Sequence, residues 1–136
     1  MTKLVEHANG WNVALDGAYI DSVSFDYAAT IVIVSGKSFV KVRYESEVRL
    51  CENSRETRIL PEDTPTGAPL LSLVRKGVDS IFVCSSGILR ISLTSDAMLV
   101  SEPNYSYEAW NLSSDAGYLL ICNPGGGVTV FAELNQ

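Results

Sequence analysis

Apolar and polar residues alternate along most of this chain with the period of two that is typical of half-buried β-strands. The clearest run covers residues 40–51, where charged residues and Cys51 alternate with Val40, Val42, Tyr44, Ser46, Val48 and Leu50. This run predicts one long, half-exposed strand with a bend near Ser46. Residues 31–34 are apolar at every position, which predicts a central strand, and the Ser35-Gly36 pair that follows predicts a hairpin turn.

Further strand patterns lie on both sides of a polar segment at residues 52–77. They cover residues 11–15, 18–25, 78–84, 89–94, 97–101, 105–112, 118–122 and 128–134. The polar segment is interrupted by Pro61, Pro65, Gly67 and Pro69, so most of it is predicted to be a loop. Inside it, Leu70, Leu71 and Val74 precede Gly77, which predicts one short helix near residues 69–76 that ends at Gly77.

Together these elements predict a mainly β protein: an antiparallel β-sandwich or rolled sheet of about nine strands with one short helix. The alternative is an α+β domain in which the helix packs across the sheet. A length of 136 residues fits a single domain, 1–136, that buries enough surface to fold without a metal or a disulfide.

The two halves of the chain also resemble each other. Residues 20–23 read Ile-Asp-Ser-Val and residues 78–81 read Val-Asp-Ser-Ile, while residues 31–36 parallel residues 91–96. The similarity suggests duplicated β-meander halves, 11–51 and 78–134, joined by the helix-bearing linker. Chance similarity between amphipathic strands is the alternative.

The net charge of −6 is unevenly distributed along the chain. Residues 91–136 contain no Lys or Arg, and their five carboxylates are Asp96, Glu102, Glu108, Asp115 and Glu133. This acidity argues against a nucleic-acid binder, which needs clustered cations for phosphate contacts. It would steer a basic protein partner if the carboxylates share a surface, and it would serve solubility alone if they do not.

The sequence contains no apolar run of the roughly 20 residues that a membrane span requires. Its amino terminus lacks the apolar core of a signal peptide. We therefore expect a cytoplasmic protein without membrane contact.

Few residues in the chain are suited to metal binding or catalysis. Cys51, Cys84 and Cys122 are widely spaced, and His7 is the one histidine, so the ligand clusters of a metal site are missing. A catalytic base would have to be this histidine near the chain terminus. Residues 125–127 are three glycines followed by a strand pattern, so they predict a turn and not a phosphate-binding loop. We expect no enzyme activity, no metal and no cofactor.

Residues 102–110, with the sequence Glu-Pro-Asn-Tyr-Ser-Tyr-Glu-Ala-Trp, combine aromatic and acidic side chains. Trp110 is expected in the core, whereas Tyr105 and Tyr107 are suited equally to core packing and to a protein interface. We expect a partner-binding surface formed by Glu102, Tyr105, Tyr107, Glu108 and Asp115.

Residues 107–110 (Tyr-Glu-Ala-Trp) and 117–127, which end in Cys-Asn-Pro-Gly-Gly-Gly, resemble the closing signature of an uncharacterised bacterial family common in actinobacteria. Residues 11–17, 23–27 and 31–36 are similar to the family's earlier pattern. The Ser95-Asp96-Ala97 turn departs from it, because the family has Asp-Gly there. The resemblance implies no catalytic residues, since the family has no assigned activity.

Small acidic single-domain proteins of this style resemble immunity proteins that are encoded beside bacterial toxins. The sequence therefore suggests a cytoplasmic binding protein that neutralises a cognate toxin, with a basic surface, by occluding its active site. The alternative is a small-ligand-binding or regulatory β domain that uses the space beneath residues 123–127. The sequence leaves the oligomeric state open.

Overall fold

The computed structural model describes residues 2–132, which form thirteen β-strands and one short helix. Glu133 and the predicted end of the last strand at Leu134 lie outside the described residues. The strands are β1 (Leu4–His7), β2 (Gly10–Val13), β3 (Tyr19–Phe25), β4 (Ala29–Ser35), β5 (Ser38–Tyr44), β6 (Val48–Glu52), β7 (Arg55–Ile59), β8 (Val78–Cys84), β9 (Leu89–Leu93), β10 (Met98–Ser101), β11 (Trp110–Ser114), β12 (Tyr118–Cys122) and β13 (Val128–Ala132).

The strands form two antiparallel sheets, which confirms the predicted fold class. One sheet has seven strands in the order β1-β2-β8-β9-β10-β6-β7, and the other has six in the order β13-β12-β11-β5-β4-β3. Alternate side chains of both sheets point inward into one hydrophobic cluster that includes Ile31, Ile33, Leu50, Ile91 and Leu120. Burying side chains of this size stabilises the fold by about 1.5–3 kcal/mol each.

Two of the strands that raise the count from about nine to thirteen lie where no strand was expected. β7 follows a two-residue turn at Asn53 and Ser54, both with positive φ, and its charged residues make it read as a loop. β1 lies at the amino terminus, where it pairs with β2 at the edge of the seven-stranded sheet.

The single long strand expected at residues 40–51 is in fact two strands in different sheets. β5 belongs to the six-stranded sheet and β6 to the seven-stranded sheet, so the predicted bend near Ser46 is a crossing between layers. Tyr44 and Val48 are both fully buried, because an even spacing preserves the inward alternation through the crossing.

The strand expected at residues 105–112 begins only at Trp110. The preceding residues form a loop, in which the Asn104 side-chain oxygen accepts a hydrogen bond from the Ser106 N–H at 2.7 Å. Pro103 has no N–H to contribute to a sheet, and an asparagine that bonds its own backbone favours a turn. The prediction of a strand over residues 105–109 is therefore wrong.

The helix is shorter than predicted, because α1 covers Ala68–Leu71 after a 3-10 turn at Thr64–Gly67. Beyond it, the N–H groups of Leu73 and Val74 donate to the carbonyls three residues earlier, as in a 3-10 helix. Arg75 has a φ of 75°, which ends the helical conformation. Leu70 and Leu73 are buried, so the helix covers the opening between β3 and β7. In the described residues, no helix has the length and apolar character needed to cross a membrane.

The chain follows the same path twice. β3-β4-β5 lie side by side in one sheet before β6-β7 cross to the other, and β8-β9-β10 precede β11-β12 in the same way with the sheets exchanged. The pairing of β3 with β4 shifts register between Ile20 and Ser22, and that of β8 with β9 shifts between Val78 and Ser80. Whether the halves 11–51 and 78–134 arose by duplication stays a prediction.

Candidate partner-binding surface

Five loops meet at one end of the two sheets. In the six-stranded sheet the last paired residues at this end are Phe25, Ala29, Tyr44 and Trp110, so the connections beyond them leave the sheet together. We define the acidic loop end as residues 26–28, 45–47, 85–88, 102–109 and 123–127.

Backbone hydrogen bonds hold these loops against one another. The Gly125 N–H donates to the Asn104 carbonyl at 2.8 Å, and the Gly127 N–H donates to the Ser86 carbonyl at 2.9 Å. The N–H groups of Glu45 and Ser46 both donate to the Ala109 carbonyl, at 2.8 and 3.1 Å. The loops 45–47 and 123–127 are thus bonded to the 102–109 loop, and the loop 85–88 is bonded to the loop 123–127. These bonds limit the motion of all four loops.

Gly87 lies at the centre of this arrangement. Its carbonyl accepts a hydrogen bond from the Trp110 indole N–H at 2.9 Å, and Trp110 is fully buried, as the sequence predicted. Gly87 has φ 107°, and a Cβ added to it would lie 2.8 Å from Cγ of Pro103. Only a glycine lets the 102–109 loop approach this closely.

Tyr105 and Tyr107 lie on the surface of this loop and not in the core. Tyr105 is 90% exposed and Tyr107 is 47% exposed. Tyr105, Glu102 and Gly125 border an open groove of about 280 Å³, and Tyr107 and Glu108 border another of about 360 Å³. Both grooves are shallow flanks of the loop. Such a surface is suited to contact with a protein.

The five loops carry carboxylates and no cation. Their acidic residues are Asp26, Glu45, Glu47, Glu102 and Glu108, and none of the loops contains Lys or Arg. Asp26, Glu45 and Glu47 come from the first half of the chain, so the acidity of this surface is not confined to the last third. The loops themselves therefore contribute only negative formal charges to this end of the molecule.

Arginines from neighbouring strands pair with four of these carboxylates. Arg43 contacts Glu45 at 2.6 Å and Asp26 at 3.0 Å, and the hydrogen bond that it donates to Glu45 is the main cause of the raised pKa of Arg43. Two further ion pairs join an arginine of a strand to a carboxylate of a loop: Arg58 contacts Glu47 at 2.6 Å, and Arg49 contacts Glu102 at 2.8 Å. Within residues 2–132, Glu108 forms no ion pair.

Asp115 does not join the acidic loop end. It lies in the turn after β11, beyond the opposite end of that strand from Trp110. Its carboxylate accepts hydrogen bonds from the Ser38 hydroxyl and from the Phe39 N–H, which lower its pKa below the usual value. Asp96 lies in another turn away from the loops, so the carboxylates of the last third do not share one surface.

The structure thus brings together Glu102, Tyr105, Tyr107 and Glu108 and leaves Asp115 apart. Sequence reasoning missed the contribution of residues 26–28 and 45–47 to the same surface. The signal that could have found residues 26–28 was their place between two predicted strands, at 18–25 and 31–34. No local signal shows which turns of separate hairpins become neighbours.

Possible ligands for a metal or cofactor are scattered. In the part of the chain that the structure describes, no three His, Cys, Asp or Glu residues are grouped closely enough to hold a metal ion. The three cysteines are free thiols, and burial raises the pKa of Cys122. Gly125, Gly126 and Gly127 have φ of 81°, 122° and 85°, which confirms the predicted turn before β13.

Comparison with known proteins gives one match. Residues 11–132 match the model of a protein family that is described as a family of unknown function, DUF6188. No curated protein and no solved structure matches the chain.

Proposed function

The chain belongs to this family of unknown function, DUF6188, and from that premise we propose that it is a protein-binding protein, an immunity protein that neutralises a cognate bacterial toxin by occlusion. The binding surface is the acidic loop end, with Tyr105 and Tyr107 as anchors beside Glu102 and Glu108. We further propose a cytoplasmic protein without enzyme activity, whose Tyr-Glu-Ala-Trp and Pro-Gly-Gly segments recur as a signature among mainly actinobacterial relatives.

One observation carries this proposal: the 102–109 loop is longer than its structural counterpart. β5 pairs with β11, with Val42 opposite Leu112, and β6 pairs with β10, with Leu50 opposite Leu99. The chain therefore crosses between the sheets at the same place twice, from β5 to β6 and from β10 to β11. Residues 45–47 make that crossing in three residues, whereas residues 102–109 use eight. The shorter crossing shows that the fold does not need eight residues here, and the longer loop contains the exposed residues Tyr105 and Tyr107.

The loop is held in place before any partner arrives. Gly125 and Asn104 fix its middle, and Trp110 and Gly87 fix its end. Tyrosine loses little side-chain entropy when it is buried at an interface, and an ordered loop reduces that cost further. The exposed tyrosines are therefore suited to act as anchors that dock into pockets of a partner.

The charges indicate the partner's chemistry. Net acidity speeds encounter with a basic surface, and Glu108, which has no ion pair within the described residues, is available to an arginine or lysine of the partner. Many toxins that act on nucleic acids or anionic substrates need a basic active site, and an acidic protein that covers it would exclude the substrate.

The test is co-expression of this chain with the product of the gene adjacent to its own. We expect a stable complex whose association weakens as salt is raised, since steering by surface charge is screened. Tyr105→Ala and Tyr107→Ala should each weaken binding about tenfold or more, which corresponds to about 1.4 kcal/mol.

Tyr19→Ala is the matched control. Tyr19 is 38% exposed but lies at the start of β3, at the opposite end of the sheet from the acidic loop end. It should leave the complex unchanged. If no adjacent product binds, or if all three variants behave alike, the proposal is wrong. A thermal shift with a metabolite library in the absence of any complex would instead favour the ligand-binding alternative.

A further inference from the structure

Tyr27 is an exposed aromatic side chain at the tip of the turn between β3 and β4. It is 90% exposed, as much as Tyr105. Its turn contains only residues 26–28, and the Asp26 N–H donates to the Ala28 carbonyl at 2.9 Å within it. The side chain therefore contributes almost nothing to the core, although the turn that carries it is tightly constrained.

The backbone at Tyr27 is unfavourable for a residue of this kind. Its φ is 72°, in the left-handed region where glycine and asparagine are accommodated and a bulky aromatic residue is an outlier. An asparagine here would suit the turn better. A strained residue whose side chain faces solvent serves no folding purpose, so its role is to be sought in binding.

The Tyr27 turn belongs to the acidic loop end. β4 and β11 are separated in the sheet only by β5, so the turn and the 102–109 loop leave the sheet about 10 Å apart. Arg43 links the turn to the 45–47 crossing, because its guanidinium contacts both Asp26 and Glu45. That crossing is in turn bonded to the 102–109 loop through the Ala109 carbonyl. Tyr27, Tyr105 and Tyr107 thus stand on neighbouring connections among carboxylates.

We propose that Tyr27 is a third aromatic anchor, and that the partner presents a cationic protein surface broad enough to cover the loops from residues 26–28 to residues 102–109. This inference rests on the proposed function and extends it to a residue and a turn that the sequence did not indicate. A surface of this breadth fits a standard protein interface of about 800 Å² per partner. Arginines of the partner would stack on the tyrosine rings, and one of them would pair with Glu108, which has no ion pair within the described residues.

Tyr27→Asn tests the proposal, because it separates stability from binding. Asparagine tolerates a positive φ, so the variant should melt at the same temperature as the native protein or a few degrees higher. With the co-expressed adjacent gene product as the probe, its affinity should fall about tenfold or more. If Tyr27 served only the fold, its replacement would lower the stability of the protein. Unchanged or higher stability together with weaker binding would therefore indicate a role in binding.

Ser54→Asn is the matched control. Ser54 has φ 63° and is exposed in the β6–β7 turn, which lies at the other end of β6 from the acidic loop end. This variant relieves the same kind of strain without a change of charge, and it should bind the partner as the native protein does.

The outcomes separate the two proposals. If Tyr105→Ala and Tyr107→Ala weaken binding while Tyr27→Asn binds like the native chain, Tyr27 is not an anchor and the proposed function stands. If the native chain binds no adjacent gene product, both proposals fail. If Ser54→Asn weakens binding as much as Tyr27→Asn, the effect comes from backbone strain and the assignment of Tyr27 is overturned.

Discussion

At the scale of single residues, two buried tyrosines show that burial and hydrogen bonding contribute separately to stability. Tyr44 is fully buried in the six-stranded sheet, which raises its pKa, and its hydroxyl has no protein partner within residues 2–132. Tyr118 is also buried, but its hydroxyl donates to the Thr2 carbonyl at 2.7 Å. Both positions read as inward strand residues in the sequence, which did not reveal the difference between them.

We therefore expect opposite effects from the same substitution. Tyr44→Phe removes an unpaired buried hydroxyl and should leave the free energy of unfolding unchanged or raise it by up to about 1 kcal/mol. Tyr118→Phe leaves the Thr2 carbonyl without its donor and should lower that free energy by about 1 kcal/mol. Urea denaturation of both variants is the measurement, and equal effects would contradict this account.

Asp115 gives the fold a dependence on pH. Hydrogen bonds from Ser38 and Phe39 to its carboxylate lower its pKa below the ordinary value of 3.8. The unfolded state then binds the proton more readily, so the stabilisation is complete above that value and is lost as the pH falls through the lower pKa of the folded state. Asp115→Asn should be less stable than the native protein at pH 7, and the difference should shrink below pH of about 4.

The measurement is the free energy of unfolding of both proteins between neutral and acidic pH. Asp96→Asn serves as the control, since the Asp96 side chain makes no hydrogen bond among the described residues. A difference between native protein and Asp115→Asn that stays constant across this range would show that the carboxylate is not stabilised by these bonds.

At the scale of elements, the structure depends on how connections pack at the sheet ends. The 102–109 loop packs against the β8–β9 connection at a single glycine, Gly87. The Gly87 carbonyl also accepts a hydrogen bond from the Trp110 indole N–H. The strand patterns predicted β8 and β9 well, because alternation follows directly from burial. The approach of the two connections depends on pairings between distant strands, which no local pattern encodes.

Gly87→Ala should disturb this packing. The added Cβ would lie 2.8 Å from Pro103, and the backbone has a positive φ, so we expect a loss of about 2 kcal/mol or more and an altered emission of Trp110. Gly17→Ala isolates the backbone effect, because Gly17 has φ 59° but no atom within 4 Å of the added Cβ. Equal losses in the two variants would show that the contact with Pro103 is unimportant.

At the scale of the whole molecule, folding redistributes the charge that the sequence shows. Acidity is concentrated in the last third of the chain, yet Asp96 and Asp115 lie away from the loops, while Asp26, Glu45 and Glu47 join Glu102 and Glu108. Four of the five expected binding residues were therefore found together, and the fifth was grouped with them by its position in the sequence alone. Tyr27 was missed because exposure depends on the tertiary fold.

The repeated chain path bears on how the protein assembles. β6 and β7 complete the sheet that contains β8, β9 and β10, and β11 and β12 complete the sheet that contains β3, β4 and β5. With β1, β2 and β13 included, the first half contributes four strands to the sheet of β8, β9 and β10, and the second half contributes three to the sheet of β3, β4 and β5. Subunits exchange elements in a similar way in a domain-swapped dimer. Neither half has a complete core of its own, so the two are expected to fold only in each other's presence. Cleaved between β7 and β8 and expressed as separate fragments, the chain would become a split protein whose parts reassemble on contact.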